Sequence, residues 1–296
     1  METSEPVRRT SEIEEITNLY LIHPTASRLT PLFARLGISP NAVSLAGMAL
    51  GVSAGFAYYH YQDWRYALAG FVLMIAWHVM DGVDGQLARL THSQSQLGKI
   101  LDGICDYVTF IAVYSGLALA LSRDLGGWVW ALAIGAGFCH AIQSAAYELQ
   151  RQEYNFWGLD RKSAELLAPD ALPASSANGA IVPQLFDMIY RQYVRCQFLV
   201  AGIMVEFRKR LALMLEAEPE RAPLIRERYR TLFAPSVRRW SVMSANYRTL
   251  GIFIAALIGR PQYYFWFEIF GLSLILVFLI FWQRTKYVSF FKDIDG

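Results

Sequence analysis

The amino-acid sequence predicts an all-α membrane protein: a six-transmembrane-helix bundle with an N-terminal interfacial amphipathic helix and a cytoplasmic helical insertion between spans four and five. Three observations lead there. The 296-residue chain is 54% hydrophobic and only 18% charged, with a positive mean hydropathy, too apolar for an ordinary soluble domain. Six apolar runs, at about 41–60, 66–90, 97–122, 127–149, 241–259 and 262–283, are each long enough to cross about 30 Å of hydrocarbon. The basic residues are unevenly placed. Arg8, Arg9, Arg28 and Arg35 precede the first run and fourteen Lys or Arg lie between residues 150 and 240, whereas the loops on the other side hold only Arg65, Arg123 and Arg260. By the positive-inside rule both termini, the 150–240 segment and the turn between spans two and three face the cytoplasm, which makes this an integral inner-membrane protein.

Residues 1–40 form the cytoplasmic N-terminus. Its polar start, Met1 to Thr10, lacks the apolar core and cleavage pattern of a signal peptide. Over 11–37, Ile13, Ile16, Leu19, Tyr20, Leu29, Leu32, Phe33 and Leu36 recur at roughly helical spacing, interrupted by Pro24 and Pro31. That pattern predicts an amphipathic element at the membrane interface or packed on the protein. Residues 41–149 carry spans one to four. Gly47, Gly51 and Gly55 make a small-residue stripe on span one that lets another helix approach. Between residues 150 and 240, Pro169, Pro173, Ala174 to Gly179 and Pro183 read as a flexible loop. Residues 184–216 then read as helical, with Phe186, Ile189, Tyr190, Tyr193, Val194, Phe198 and Met204 toward one side, and 217–240 alternates acid with base. A cytoplasmic helix pair resting on the anionic headgroups of membrane lipids is the expectation. Residues 241–296 hold spans five and six and a short cytoplasmic tail. Cys105, Cys139 and Cys196 have no metal-ligand or disulfide spacing.

The chemistry lies in residues 81–106. Asp81 and Asp84 (i, i+3) and Asp102 and Asp106 (i, i+4) each share a helix face, with about 5–6 Å between Cβ atoms of a pair. Four unpaired carboxylates at membrane depth are costly. One nearby side chain, Arg89, is permanently positive, so bound divalent metal is the natural counter-charge. Two facing helices of this kind make an oxygen-lined site for one or two magnesium-like ions. Gly82 and Gly85 lack Cβ atoms and admit either a ligand or another helix close to the backbone, and Ala88 is small in the same way. Arg89 can grip a diphosphate bidentately or anchor the helix end. Elsewhere Arg248 stands inside an apolar run, which marks it as a functional candidate. His140, Gln143, Ser144 and Tyr147 form a polar stripe on span four, suited to an acceptor cavity or to interhelical hydrogen bonds. His78 reads as a buried polar residue.

The run Asp81-Gly82-Val83-Asp84-Gly85-Gln86-Leu87-Ala88-Arg89, then Gly98, Asp102 and Asp106, resembles the signature of the CDP-alcohol phosphotransferase family, D-x-x-D-G-x-x-A-R-x8-G-x3-D-x3-D, with every fixed position present. Upstream, Ser39-Pro40-Asn41-Ala42-Val43-Ser44 looks like the Pro-Asn lead-in of many members. The resemblance implies metal-dependent transfer of a phosphoalcohol from a CDP-activated donor to a hydroxyl acceptor, with release of CMP. It assigns Asp81, Asp84 and Asp102 to one or two Mg2+ or Mn2+ ions, with Asp106 completing the cluster and serving as general base. The same resemblance gives Gly82, Gly85, Ala88, Arg89 and Gly98 to the nucleotide and its diphosphate, with Gln86 and Lys99 as weaker contacts. It also implies a homodimer and no nucleic-acid partner. Arg248, His140 and Gln143 are the candidate acceptor contacts.

The acceptor expected is a small polyol or polyol phosphate, inositol phosphate ahead of glycerol 3-phosphate, because His23 to Thr30 looks closest to members handling inositol phosphates. CDP-diacylglycerol is the expected donor. The alternative within the family is CDP-choline, CDP-ethanolamine or CDP-inositol as donor. Two more distant readings are a membrane prenyltransferase of the ubiquinone-synthesis type, whose two aspartate motifs are widely separated, and a cation transporter, against which the lack of an internal repeat counts.

Overall fold

The structure, a computed structural model, describes residues 10–167 and 181–295, and their side chains apart from those of 96, 181–190 and 293–295. The expected loop through Pro169, Pro173 and Ala174 to Gly179, and the start of the chain through Arg9, lie outside the described residues. Every regular element among the described residues is helical. Five helices are long and apolar enough to cross a membrane, Pro40–Tyr59, Trp64–Leu90, Leu97–Leu125, Trp128–Gly158 and Gln262–Lys292. The run expected as a fifth span over 241–259 is different. Ser241–Met243 forms one tight turn, Ser244 is extended, and the helix begins only at Ala245 and ends at Leu257. Its 13 residues rise about 20 Å, short of the hydrocarbon thickness.

Two compact units divide the chain. The first comprises residues 1–139 and 245–271, the second 140–244 and 272–296.

In the first unit, α1 (His23–Arg35) follows a π-helical turn, Asn18–Ile22. Pro24 sits harmlessly in the first turn, whereas Pro31 is tolerated inside the helix. One side of this element, Ile22, Ala26 and Thr30, is buried against α3 (Trp64–Leu90), together with Val79, Val83 and Leu87. The other exposes Ile16, Tyr20, Leu32 and Leu36. Helix α2 (Pro40–Tyr59) starts with Ser39 as its cap, whose Oγ accepts from the Ala42 N–H at 3.3 Å, and with Pro40 in the first turn. It packs against both α3 and α4 (Gln96–Leu125). The glycine stripe makes this packing close: a Cβ on Gly47 would sit 3.1 Å from Met80 Cβ, one on Gly55 2.5 Å from the Ala112 carbonyl oxygen, and one on Gly51 inside the Thr109 side chain. Helix α9 (Ala245–Leu257) packs on α3, where His78 Nε2 and Thr249 Oγ1 share a 2.9 Å hydrogen bond. At its start Asn246 Nδ2 donates to Glu15 Oε1 at 2.8 Å and ties the N-terminal segment to it.

The second unit is built around an aromatic core of Phe207, Tyr229, Phe233, Tyr287 and Phe290. Helix α5 runs from Trp128 to Glu153 and continues through a π-helical turn to Gly158. The segment expected as one helix over 184–216 is two, α6 (Ile181–Val200) and α7 (Val205–Ala217), separated at Gly202, whose φ of +68° few other residues adopt. Val194 and Phe198 are buried as their spacing suggests, but Tyr193 is exposed. Helix α8 (Ala222–Trp240) packs against 154–158 and α10 (Ser273–Asp295). Arg226 donates to the Trp157 carbonyl at 2.9 Å and to Asp160 at 2.7 Å, and Arg208 pairs with buried Glu153 at 3.2 Å. The alternating charges of this stretch thus include specific ties as well as a solvated face.

Candidate metal and nucleotide site

The site is built where α3 ends and α4 begins. Helix α3 runs on to Leu90, so Asp81, Asp84 and Arg89 all stand in its last three turns. Thr91 bonds back to the Leu87 carbonyl at 2.8 Å and closes the helix, and His92 turns the chain at φ 52°. Ser95 then caps α4, accepting from the Gly98 N–H at 2.9 Å. A Cβ on Gly98 would stand 3.1 Å from that capping oxygen and 3.5 Å from Asn41 Oδ1. The turn geometry fixes where Asp102 and Asp106 point, one helical turn apart.

Asp81, Asp84, Asp102 and Asp106 line one recess, together with Ser44, Gly47, Trp77 and Cys105. One carboxylate oxygen from each of Asp81, Asp102 and Asp106 lies within 4.8 Å of the other two, and all three residues are half-buried. Asp84 differs. It is 6% exposed, and its Oδ2 accepts a 2.6 Å hydrogen bond from Ser44 Oγ on α2. The donor set fits a hard divalent cation: carboxylate oxygens only, converging from two helices, with no nitrogen or thiolate among the cluster. Cys105 lines the same recess as a buried thiol.

The glycines divide. A Cβ on Gly82 would meet Ala26 Cβ at 3.1 Å and Ile22 Cγ2 at 3.5 Å, so the missing side chain there admits α1. Around Gly85 the three nearest atoms all belong to the Arg89 guanidinium, at 3.5–4.0 Å. Arg89 therefore folds back along α3 over Gly85, at the open end of the helix. Ala88 is half-buried beside it. Gln86 is buried and its Oε1 lies 3.4 Å from Thr30 Oγ1 of α1.

Arg248 is 1% exposed, and its Nε donates at 2.9 Å to Oε1 of Glu268, itself 0% exposed. Tyr264 and Tyr114 both donate their hydroxyls to Oε2 of Glu268, Tyr114 at 3.3 Å. Glu268 lies in a π-helical turn, Phe267–Leu272. Sequence reasoning passed over it, although it is the lone acid in the apolar run Gln262–Lys292 and the argument that singled out Arg248 applies to it equally. His140 and Gln143 belong to the second unit, where Gln143 Nε2 donates to Ser273 Oγ at 3.2 Å.

A membrane protein with a convergent carboxylate cluster and an adjoining arginine is the class that fold and site define. The family profile for CDP-alcohol phosphatidyltransferases matches residues 37–204, more than half of the chain. The chain belongs to the CDP-alcohol phosphatidyltransferase family, a family of enzymes. Among curated proteins it is 32% identical over 92 residues to the archaetidylinositol phosphate synthase of Pyrococcus horikoshii, covering 31% of this chain and 47% of that protein. It is 29% identical over 123 residues to choline/ethanolaminephosphotransferase 1 of Arabidopsis thaliana, 38% of this chain and 31% of the other. With the CDP-diacylglycerol–serine O-phosphatidyltransferase of Mycobacterium bovis it shares 30% identity over 115 residues, 38% of each chain. The chain thus spans less than half the length of each of these relatives.

Proposed function

We propose that the protein transfers a phosphatidyl-type group from a CDP-linked lipid, CDP-diacylglycerol first, to the hydroxyl of a small polyol phosphate, inositol phosphate ahead of glycerol 3-phosphate, releasing CMP. The observation that carries this reading is the convergence of Asp81, Asp84, Asp102 and Asp106 on one recess, three of them with oxygens within 4.8 Å of one another. These residues would hold one or two Mg2+ or Mn2+ ions, which when bound neutralise the diphosphate and acidify a hydroxyl. Arg89 grips the diphosphate, and the bare backbone at Gly85 lets the nucleotide lie against α3, flanked by Ala88 and Gly98, while Gly82 serves the approach of α1. The acceptor oxygen attacks phosphorus, Asp106 takes the hydroxyl proton, and the bond to CMP breaks. Arg248, His140 and Gln143 are proposed acceptor contacts. Arg248 is held to Glu268 through its Nε.

The name of the Pyrococcus relative supports an inositol phosphate acceptor, and that of the Arabidopsis relative supports the second reading, a CDP-choline or CDP-ethanolamine donor. The exposed apolar residues Ile16, Tyr20, Leu32 and Leu36 support an N-terminal element lying in the interface. We further propose that Ala245–Leu257 supplies a sixth crossing with its polar start, that 150–240 is a cytoplasmic insertion, and that the enzyme works as a homodimer in the inner membrane with both termini and the site cytoplasmic.

The test is CMP release by the purified protein with Mn2+ or Mg2+, offering CDP-diacylglycerol with inositol phosphate, glycerol 3-phosphate, inositol or serine in separate reactions. Release with a polyol phosphate is expected. Asp106→Asn should lower turnover about 10²–10⁴-fold while CDP still binds; full turnover in that variant removes Asp106 from the role of base. No release in any of these, with release when CDP-choline or CDP-ethanolamine is offered with diacylglycerol, would move the assignment to the second reading.

A further inference from the structure

We infer that Ser44 is a positioning residue for the metal centre: its hydroxyl holds Oδ2 of Asp84, so that Asp84 offers the recess a single, fixed oxygen, Oδ1. Ser44 stands on α2, forty positions from Asp84 in sequence, and the two are joined by a 2.6 Å hydrogen bond. Both are buried, Ser44 at 8% and Asp84 at 6% exposure. Ser44 Oγ also lies 3.2 Å from the Pro40 carbonyl oxygen, its i−4 neighbour. A hydroxyl has one proton, and only one of these acceptors can receive it fully. The shorter contact has the length of a charge-assisted O–H···O⁻ bond, about 2.5–2.7 Å, which is the stronger kind. The proton therefore goes to Asp84.

The surroundings show why Asp84 has such a partner and why it comes from α2. Asp81, Asp102 and Asp106 form a half-buried trio whose oxygens already converge. Asp84 is the deeper carboxylate, and Ser44 is the side chain from another helix that holds one of its two oxygens. With Oδ2 committed to Ser44, Oδ1 is left as the oxygen able to face a cation. Hydrogen bonds that orient metal-binding carboxylates in this way have measurable effects on affinity. The close approach of α2 makes the contact geometrically available. Gly47, one turn beyond Ser44, would carry a Cβ only 3.1 Å from Met80 of α3, so the small residue at 47 brings Ser44 within reach of Asp84.

The role rests on the four aspartates being a metal centre, and the experiment separates the two claims. Mn2+ binding to the full chain in lipid nanodiscs, without nucleotide, is followed by electron paramagnetic resonance for the unaltered protein and for Ser44→Ala, Ser44→Thr and Ser44→Val. The alanine variant is expected to weaken Mn2+ binding about 10–100-fold. Threonine and valine are nearly equal in shape and differ in the hydroxyl, so this pair reads the hydrogen bond even if alanine fails to fold. Threonine should bind Mn2+ much more tightly than valine, and in turnover assays the loss should appear in the apparent metal constant and be relieved by excess Mn2+. Equal binding by the threonine and valine variants, or binding by Ser44→Ala that matches the unaltered protein, would overturn the role of Ser44 alone. No Mn2+ binding by the unaltered protein would overturn the metal centre and this role with it.

Discussion

Gly82 and Gly85 occupy neighbouring places in one motif, yet their surroundings separate two physical uses of glycine. A Cβ at 82 meets α1; a Cβ at 85 meets only the flexible end of Arg89 at ordinary contact distance. Alanine in a helix interior is favoured over glycine by about 0.5–1 kcal/mol. Gly85→Ala should therefore raise stability by about that amount while weakening CDP binding, since the added methyl stands where the nucleotide is proposed to lie. Gly82→Ala should gain less stability, because Ala26 must give way. Thermal unfolding and CDP titration of the two variants check this, and unchanged CDP affinity in Gly85→Ala would remove the nucleotide from that helix face. At this scale sequence carried much of the site. The spacing of Asp81, Asp84, Asp102 and Asp106 is local to two helices, so helical geometry alone sets which carboxylates share a face. The Ser44–Asp84 bond is not local. It depends on how α2 packs, and no periodicity within one segment encodes it.

Among the elements, the long spans were legible because a run of apolar residues longer than the hydrocarbon thickness has few alternatives. The 241–259 run was not. Its mean composition is apolar, but Ser244, Asn246, Arg248 and Thr249 are concentrated at one end, and the helix starts only after the extended Ser244. What holds this short element is the buried pair Arg248–Glu268, braced by Tyr114 of α4 and by Tyr264. The pair was half legible: an arginine in an apolar run implies an anion, but which one depends on the π-helical turn that carries Glu268. Removing one member leaves an uncompensated buried charge, at a cost of about 3–5 kcal/mol. Replacing both by apolar residues removes the charge problem together with the attraction. Arg248→Met and Glu268→Leu should each lower stability strongly, and the double variant should recover most of the loss in thermal unfolding. If the double variant is as unstable as the singles, packing rather than charge pairing holds α9.

For the whole molecule the decisive quantity is which way the site faces. Helix α4 has 30 residues and rises about 45 Å, more than the thickness of the hydrocarbon, so the turn at its start and the turn at its end emerge on opposite sides of a bilayer. Ser93 lies in the first turn, between α3 and α4; Gly127 lies in the second, with no heavy atom within 4 Å of its missing side chain. Both positions are exposed. On the proposed topology the loops of the Gly127 side carry Arg65, Arg123 and Arg260, against fourteen Lys or Arg in residues 150–240. From this charge asymmetry we propose that the basic side, and Ser93 with it, is cytoplasmic. The proposed CDP-linked headgroup and polyol phosphate are charged and cross hydrocarbon poorly, so the proposed reaction needs the recess on the side that supplies them. In a background with Cys105, Cys139 and Cys196 replaced by alanine, Gly127→Cys should react with a membrane-impermeant maleimide in right-side-out vesicles. Ser93→Cys should react only after the vesicles are opened or inverted. The reverse pattern would put the aspartates on the outer face and remove cytoplasmic nucleotide from the reaction.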